Sequence, residues 1–198
     1  MTESLPLRRN RDFLLLQAGQ LFSTLGSNMS TIAYPLLALA VTGSAAKTGY
    51  VGAIEFAPVV LLSPLAGVAA DRFDRRRLMI ASDVVGAAAV AGLAAAVLTH
   101  NTRFWLILLV AFADTAAAVV YRAGSSGAFT AVVPRSQFAD AASVTYARAS
   151  TVRLTAPAAG GALFGLARSL PFLADAVSYG FSTLTLLLMR TRFQEERE

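Results

Sequence analysis

Residues Phe13 to Val41 read FLLLQAGQLFSTLGSNMSTIAYPLLALAV, 29 positions without a charge, and directly before them stand Arg8, Arg9, Arg11 and Asp12. A helix rises about 1.5 Å per residue and a bilayer core is about 30 Å thick, so about 20 apolar residues make a span. The stretch exceeds the roughly 7–15 residues of a signal-peptide core and lacks a small-residue cleavage pattern before a polar mature start. It reads as a first membrane span. The same reading gives five more, with spans near residues 13–41, 49–70, 78–99, 104–123, 140–166 and 171–189. The connections are a short one around Lys47, then 71–77, 100–103, a longer one over 124–139, and 167–170.

Composition agrees with a membrane solvent. Of 198 residues, 56% are hydrophobic and 15% charged, against about 25% charged in a soluble domain, and mean hydropathy is +0.58. The expected fold is all-α and polytopic. The 17 basic residues, 16 Arg and Lys47, outnumber 12 acidic ones, yet they fall in clusters between apolar runs and form no continuous basic face, which argues against nucleic acid as partner. There is no Cys and a single His, His100, so neither a disulfide framework nor a thiolate or imidazole metal site is expected, and no cofactor is implied. The run Gly124-Ser125-Ser126-Gly127 has no nucleophile elbow and no general base for a serine, so it reads as a flexible connection and not as an enzyme site. No phosphate-binding glycine loop is present either, which leaves an ion gradient and not ATP as the energy source.

Six spans put both termini on one side. That side holds Arg8, Arg9, Arg11, Arg72, Arg75, Arg76, Arg77, Arg122, Arg135, Arg190, Arg192 and Arg197, while Lys47, Arg103 and Arg168 are on the other. The positive-inside rule therefore places both termini in the cytoplasm, and Trp105 and Tyr50 at the outer interface.

Polar and charged residues inside the spans mark candidate sites. Gln17, Gln20, Thr24, Asn28 and Thr31 recur at spacings of 3, 4, 4 and 3, which puts them on one helical face. Such a stripe avoids lipid, so it lines a cavity or, alternatively, a packing seam with Ser23, Ser27 and Ser30. Pro35, Pro58 and Pro64 are candidate kinks. Asp114 lies near the membrane midplane, and Arg148 and Arg153 bracket the same depth on the next span. An Asp114–Arg148 or Asp114–Arg153 pair that loosens on protonation is the expected proton-coupling element; a static ion pair is the alternative. Glu55 is a second candidate proton carrier. Asp175 heads a stripe with Ser178, Ser182 and Thr185 that suits helix–helix hydrogen bonding.

Between the second and third spans the chain reads Gly67-Val68-Ala69-Ala70-Asp71-Arg72-Phe73-Asp74-Arg75-Arg76-Arg77. Its small residue, helix-end acid and basic cluster fit an interhelical latch, or simply a positive-inside anchor. Asp83 is expected to join Arg72 and Arg75 to Arg77 in that latch. The order of residues resembles the G-x-x-x-D-R-x-G-R-R signature of the major facilitator superfamily, with Asp74 where the family usually has Gly. Asn10-Arg11-Asp12-Phe13, Gly19-Gln20, Thr42-Gly43-Ser44-Ala45, Ala81-Ser82-Asp83, Val132-Val133-Pro134-Arg135 and Asp175-Ala176-Val177-Ser178 look like its exporter branch of enterobactin and macrolide efflux proteins. Ala156-Pro157-Ala158-Ala159-Gly160-Gly161 is similar to the antiporter motif G-P-x-x-G-G, in which Pro157, Gly160 and Gly161 would form a packing hinge. Whether that hinge faces this set of helices or another stays open.

The resemblance implies a proton-coupled exporter working by alternating access in the cytoplasmic membrane, with both termini inside. It implies a gating loop of Gly67, Asp71, Arg72, Arg75, Arg76 and Asp83. It also implies a 3+3 inverted repeat, and a second six-helix half as partner, because the family normally has twelve helices and this chain matches the first six, ending at Arg190 to Glu198 where a central linker would begin. The expected partners are thus the lipid bilayer, protons, a small amphiphilic molecule such as a drug, macrolide or siderophore, and the second half, covalent or as a dimer. A half-size membrane protein without transport activity of its own is the competing class.

Overall fold

The computed structural model describes residues 6–191 and 193. These form six long helices: α1 (Arg11–Thr42), α2 (Ala45–Arg72), α3 (Arg75–Leu98), α4 (Phe104–Val132), α5 (Phe138–Leu166) and α6 (Leu170–Leu188), with 3-10 turns at Leu7–Arg9 and Arg135–Gln137. Arg192 and Arg197, counted above on the arginine-rich side, lie outside the described residues, as does most of the 190–198 tail.

Local chemistry sets the helix ends. The Asn10 side chain accepts from Phe13 N–H at 3.1 Å and donates to the Val132 carbonyl at 2.9 Å, so one residue caps α1 and ties it to the end of α4. Gly43, at φ 64°, turns the chain out of α1, a left-handed conformation that glycine adopts without steric cost. Asp74 caps α3 by accepting from Arg77 N–H at 2.8 Å, which accounts for an acid where the resembling signature has Gly. Pro35, Pro58, Pro64 and Pro157 all sit inside helices that continue past them.

Two sequence expectations change. The 124–139 connection is mostly helix, because α4 runs on to Val132. A Cβ on Gly124 would meet Met79 Cγ at 2.8 Å, and one on Gly127 would strike the Arg75 guanidinium. These glycines serve close packing of α3 on α4, and Ser125 and Ser126 bond back to the Arg122 carbonyl at 3.0 and 3.1 Å. Second, α2, α3, α4 and α6 are long and apolar enough to cross a membrane, and α1 and α5 do not meet that measure. Length is not the reason, since α1 has 32 residues and α5 has 29. Their glutamine, asparagine, hydroxyl and arginine side chains lower the mean hydropathy.

Packing is most extensive between α1 and α6 and between α3 and α4, followed by α2 with α4, α3 with α6 and α1 with α5. One apolar cluster fills the end away from the 71–77 loop, around Tyr34, Leu37, Val90, Ile107 and Phe172. A second, around Phe13, Leu16, Met79 and Leu186, fills the loop end. Large apolar side chains also cover the outside, including Phe56 at 67%, Trp105 at 76% and Leu154 at 81% exposed. Such a surface suits lipid and not water.

The tight α1–α6 contact rests on absent side chains. A Cβ on Gly26 would meet the Asp175 Cα at 2.9 Å, whereas one on Gly92 meets nothing within 4 Å. Gly26→Leu should therefore destabilise the protein by about 1–3 kcal/mol or more, while Gly92→Leu leaves it within about 0.5 kcal/mol. Thermal unfolding of the two variants in detergent checks this, and equal melting points would disprove the packing argument.

Candidate functional site

The α1 stripe opens into a cavity of about 430 Å³ between α1, α4 and α5. Gln20, Thr24 and Asn28 line it from α1, together with Ser23 and Ser27. Asn28 donates to the Thr24 carbonyl at 2.7 Å, which leaves its amide oxygen as an acceptor. Two members of the stripe do not line this space. Gln17 is buried and donates to Thr145 Oγ1 at 2.7 Å, fastening α1 to α5. Thr31 folds back on the Ser27 carbonyl at 2.9 Å. Arg122, Arg148 and Arg153 enter from the opposite wall beside Tyr121 and Tyr179.

Asp114 does not join those arginines. It is 3% exposed, and each carboxylate oxygen accepts a tyrosine hydroxyl: Tyr179 from α6 at 2.6 Å and Tyr34 from α1 at 2.9 Å. The expected ion pair fails because Asp114 shares the buried face of α4 with Val110, Ala111 and Ala117, turned into the bundle. Arg148 instead donates to the Gln17 carbonyl at 3.4 Å, and its Nε is buried without a partner. Hydrogen bonds to an ionised group contribute about 1.5–3 kcal/mol each, against roughly 2.5–3.5 kcal/mol for a mid-membrane carboxylate. Two tyrosines thus offset much of the cost of the charge.

The network extends further. Ser27 Oγ lies 3.1 Å from the Tyr179 hydroxyl and 3.4 Å from Asp175 Oδ1, so two hydroxyls bridge the two aspartates. Ser178 also donates to Asp175 Oδ1 at 3.3 Å. The stripe of Asp175, Ser178, Ser182 and Thr185 is fully inside, against α1 and α4. Glu55 is half-buried on α2 with Oε1 unpartnered, and Asp114 is its electrostatic neighbour. Sequence reading overlooked Tyr34 and Tyr179. The available signal was spacing: Tyr179 lies four residues after Asp175 and Tyr34 seven after Ser27, each on the same helical face.

The loop end is arranged differently from the expected latch. Asp83 is fully buried and accepts from Thr183 of α6 at 3.5 Å. None of Arg72, Arg75, Arg76 or Arg77 reaches it among the described residues, because it lies on the α3 face shared by Met79, Ser82 and Gly86. Arg75 pairs with Asp71 at 3.7 Å, an exposed contact of a kind that contributes about 0.2–1 kcal/mol. The basic cluster mainly holds backbone: Arg75 donates to the Phe193 carbonyl at 3.4 Å and Arg76 to the Leu187 carbonyl at 2.8 Å. Gly67 faces open space, so no helix of this unit uses it for close approach. In the expected hinge, a Cβ on Gly160 would meet Met29 Cα at 2.9 Å, whereas Gly161 is open and Pro157 exposed. The motif thus divides into an inner face on α1 and an outer one.

Asp12 completes the loop end. It accepts from Thr191 N–H at 2.7 Å, from Arg190 N–H at 3.2 Å and from the Thr191 hydroxyl, which pins the chain leaving α6 to the start of α1. Partial burial disfavours its charge, yet the Thr191 and Arg190 hydrogen bonds and the nearby Arg11 outweigh that and hold the carboxyl below its ordinary 3.8.

These elements define a class: an all-helical membrane protein with a polar cavity on one side and buried acids behind it. The chain belongs to the major facilitator superfamily, its residues 2–198 matching the family described as Transmembrane secretion effector. It is 24% identical to Macrolide efflux protein A of Streptococcus pyogenes over 179 residues, 90% of this chain and 44% of that protein. It is 37% identical to Multidrug efflux pump Tap of Mycobacterium tuberculosis over 84 residues, 42% of this chain and 20% of that one. The chain therefore spans less than half the length of these relatives.

Because the Asp12 carboxyl is depressed in the folded state, the clasp is fully present above its ordinary value near 3.8 and is lost as pH falls through the lower folded value. Hydrogen exchange of the Arg190 and Thr191 amides should show protection that declines only on this acid side. Asp12→Asn should speed their exchange already at neutral pH. An unaltered rate in the variant would show that the clasp does not hold the segment.

Proposed function

We propose that the chain forms one six-span half of a proton-coupled exporter of small amphiphilic organic molecules, with both termini in the cytoplasm. The observation that carries this reading is the half-cavity backed by Asp114, within a family of membrane transporters. Membership of that family points to transport and away from catalysis. The packing supports a 3+3 repeat: exchanging α1 with α4, α2 with α5 and α3 with α6 converts the α1–α6 contact into α4–α3 and α1–α5 into α4–α2, and leaves α3–α6 unchanged. Most of the contacts thus follow the pattern two copies of a three-helix unit produce about a two-fold axis, the exception being α1–α2, which has no α4–α5 counterpart of similar extent.

The proton step follows from donor and acceptor count. As a carboxylate, Asp114 accepts from both tyrosines. A proton on Oδ1 turns that oxygen into a donor toward Tyr179, whose hydroxyl hydrogen must then turn to Ser27, and Ser27 can direct its own to Asp175. Protonation thereby reverses bonds that join α4, α6 and α1. Moving a two-state equilibrium from 1:99 to 99:1 takes about 5.5 kcal/mol, the order that two charge-assisted bonds of about 1.5–3 kcal/mol supply. The proton thus biases one access state, and Glu55 is the second acid within electrostatic reach. The efflux activity in the relatives' names supports the outward direction.

Asp114→Asn should keep the protein inserted at normal levels and abolish proton movement driven by substrate, measured with a pH-sensitive dye in inside-out vesicles carrying the full gene product. Unchanged coupling would remove Asp114 from the mechanism. The open side of the cavity favours a second half as partner, and the denatured mass of the N-terminally tagged product says how it is supplied. A species near twice 20.8 kDa means one chain with both halves. A species near 20.8 kDa means a half-size protein that needs a dimer or separate partner.

A further inference from the structure

We infer that the cavity selects organic anions, molecules bearing carboxylate, catecholate or phosphate oxygens, through Arg122, Arg148 and Arg153. The inference rests on reading this space as the substrate cavity and narrows what enters it. Among the described residues, the three arginines are its only charged lining residues, and no Asp or Glu lines it. The buried acids lie behind the wall: Asp114 is capped by Tyr34 and Tyr179, and Asp175 by Ser27 and Ser178. They cannot pair directly with a cavity arginine without abandoning those partners.

The guanidinium groups are also free to bind. Among the described residues, the side chains of Arg122 and Arg153 make no hydrogen bond or ion pair, and Arg148 spends one N–H on Gln17 while its Nε stays buried and unpartnered. Three like charges around one low-dielectric space repel each other, and their field attracts an anion. A carboxylate or phosphate takes two parallel N–H bonds from a guanidinium, a geometry that a neutral molecule does not offer. Ala118 and Ala149 present an apolar surface for the body of such a molecule, and Gln20 and Asn28 offer amides to its neutral polar groups. The volume of about 430 Å³ lies in the range of about 300–1,000 Å³ usual for small-molecule pockets. A cationic amine of similar size is repelled by all three guanidinium groups, so charge acts as the discriminating element.

Fluorescein and rhodamine 123 share a xanthene skeleton and carry opposite charge, so they isolate this property. Their binding is read by fluorescence anisotropy, using the full gene product in phosphatidylcholine nanodiscs with no gradient present. Fluorescein is expected to bind saturably and at least tenfold more tightly than rhodamine 123. Arg122→Gln and Arg153→Gln, both on exposed positions that carry no packing, should each weaken it by about tenfold or more, and Arg153→Lys should recover part of the loss. Equal affinities for the two dyes, absent fluorescein binding, or indifference to both glutamine variants would overturn the inference, as would acids from the second half neutralising the arginines, since rhodamine 123 would then be favoured. Replacing part of the lipid with phosphatidylglycerol should leave fluorescein affinity unchanged; abolished binding would reassign the arginines to lipid headgroups. No proton gradient enters this measurement, so failed proton coupling and failed anion selection are read separately.

Discussion

A carboxylate in the middle of a bilayer must be held by something, and in this bundle it is held by two tyrosines from two other helices. Asp114 on α4 accepts from Tyr34 on α1 and Tyr179 on α6, so the three helices are tied at one buried point. The bond lengths require close helices, and the glycines supply that closeness. Gly26 lets α1 lie against Asp175, and Gly86 lets α3 lie on the Tyr179 ring at 2.7 Å from a would-be Cβ. Bulk at either place would pull the tyrosine hydroxyl or its helix away from the acid. In a membrane, where apolar contact with lipid competes equally with apolar contact between helices, small residues and polar bonds of this sort decide the packing.

Much of this was readable from residue pattern alone. Long apolar runs located the helices to within a few residues, except where α4 continued through 124–132. There the glycines pointed to a connection, because sequence does not distinguish a glycine that permits a turn from one that admits a neighbouring side chain. The α1 stripe was visible in its spacing, and Gln20, Thr24 and Asn28 do share a cavity. Gln17 and Thr31 satisfy the same spacing yet bond locally or to α5, since a helical face is wider than the space it borders.

The charges were harder to place than the helices. Depth along a helix follows from residue number, and by depth Asp114 matched Arg148 and Arg153. Facing direction depends on which side of α4 the bundle covers, a property of the whole assembly. Asp83 shows the same lesson: four basic residues lie within eleven positions of it, but it points to α6. The hydrogen-bonding tyrosines carried only the signal of their spacing from Asp175 and Ser27, because a Tyr in an apolar run otherwise passes for another aromatic core residue.

Separating the acids from the arginines has a physical consequence. An Asp–Arg pair across the cavity would fix both charges, and a proton reaching the acid would leave an unpaired arginine in a low-dielectric space, a state costly enough to resist protonation. A tyrosine-capped carboxylate has no such counterion to strand, and taking up a proton only reorients hydroxyl groups. The arginines, for their part, keep their donors available toward the cavity. The acids thus have hydroxyl partners and the arginines do not, so the two sets are held by different chemistry. With Tyr179 bonded to Asp114 and also bordering the cavity, the acids and the arginines meet at a single side chain.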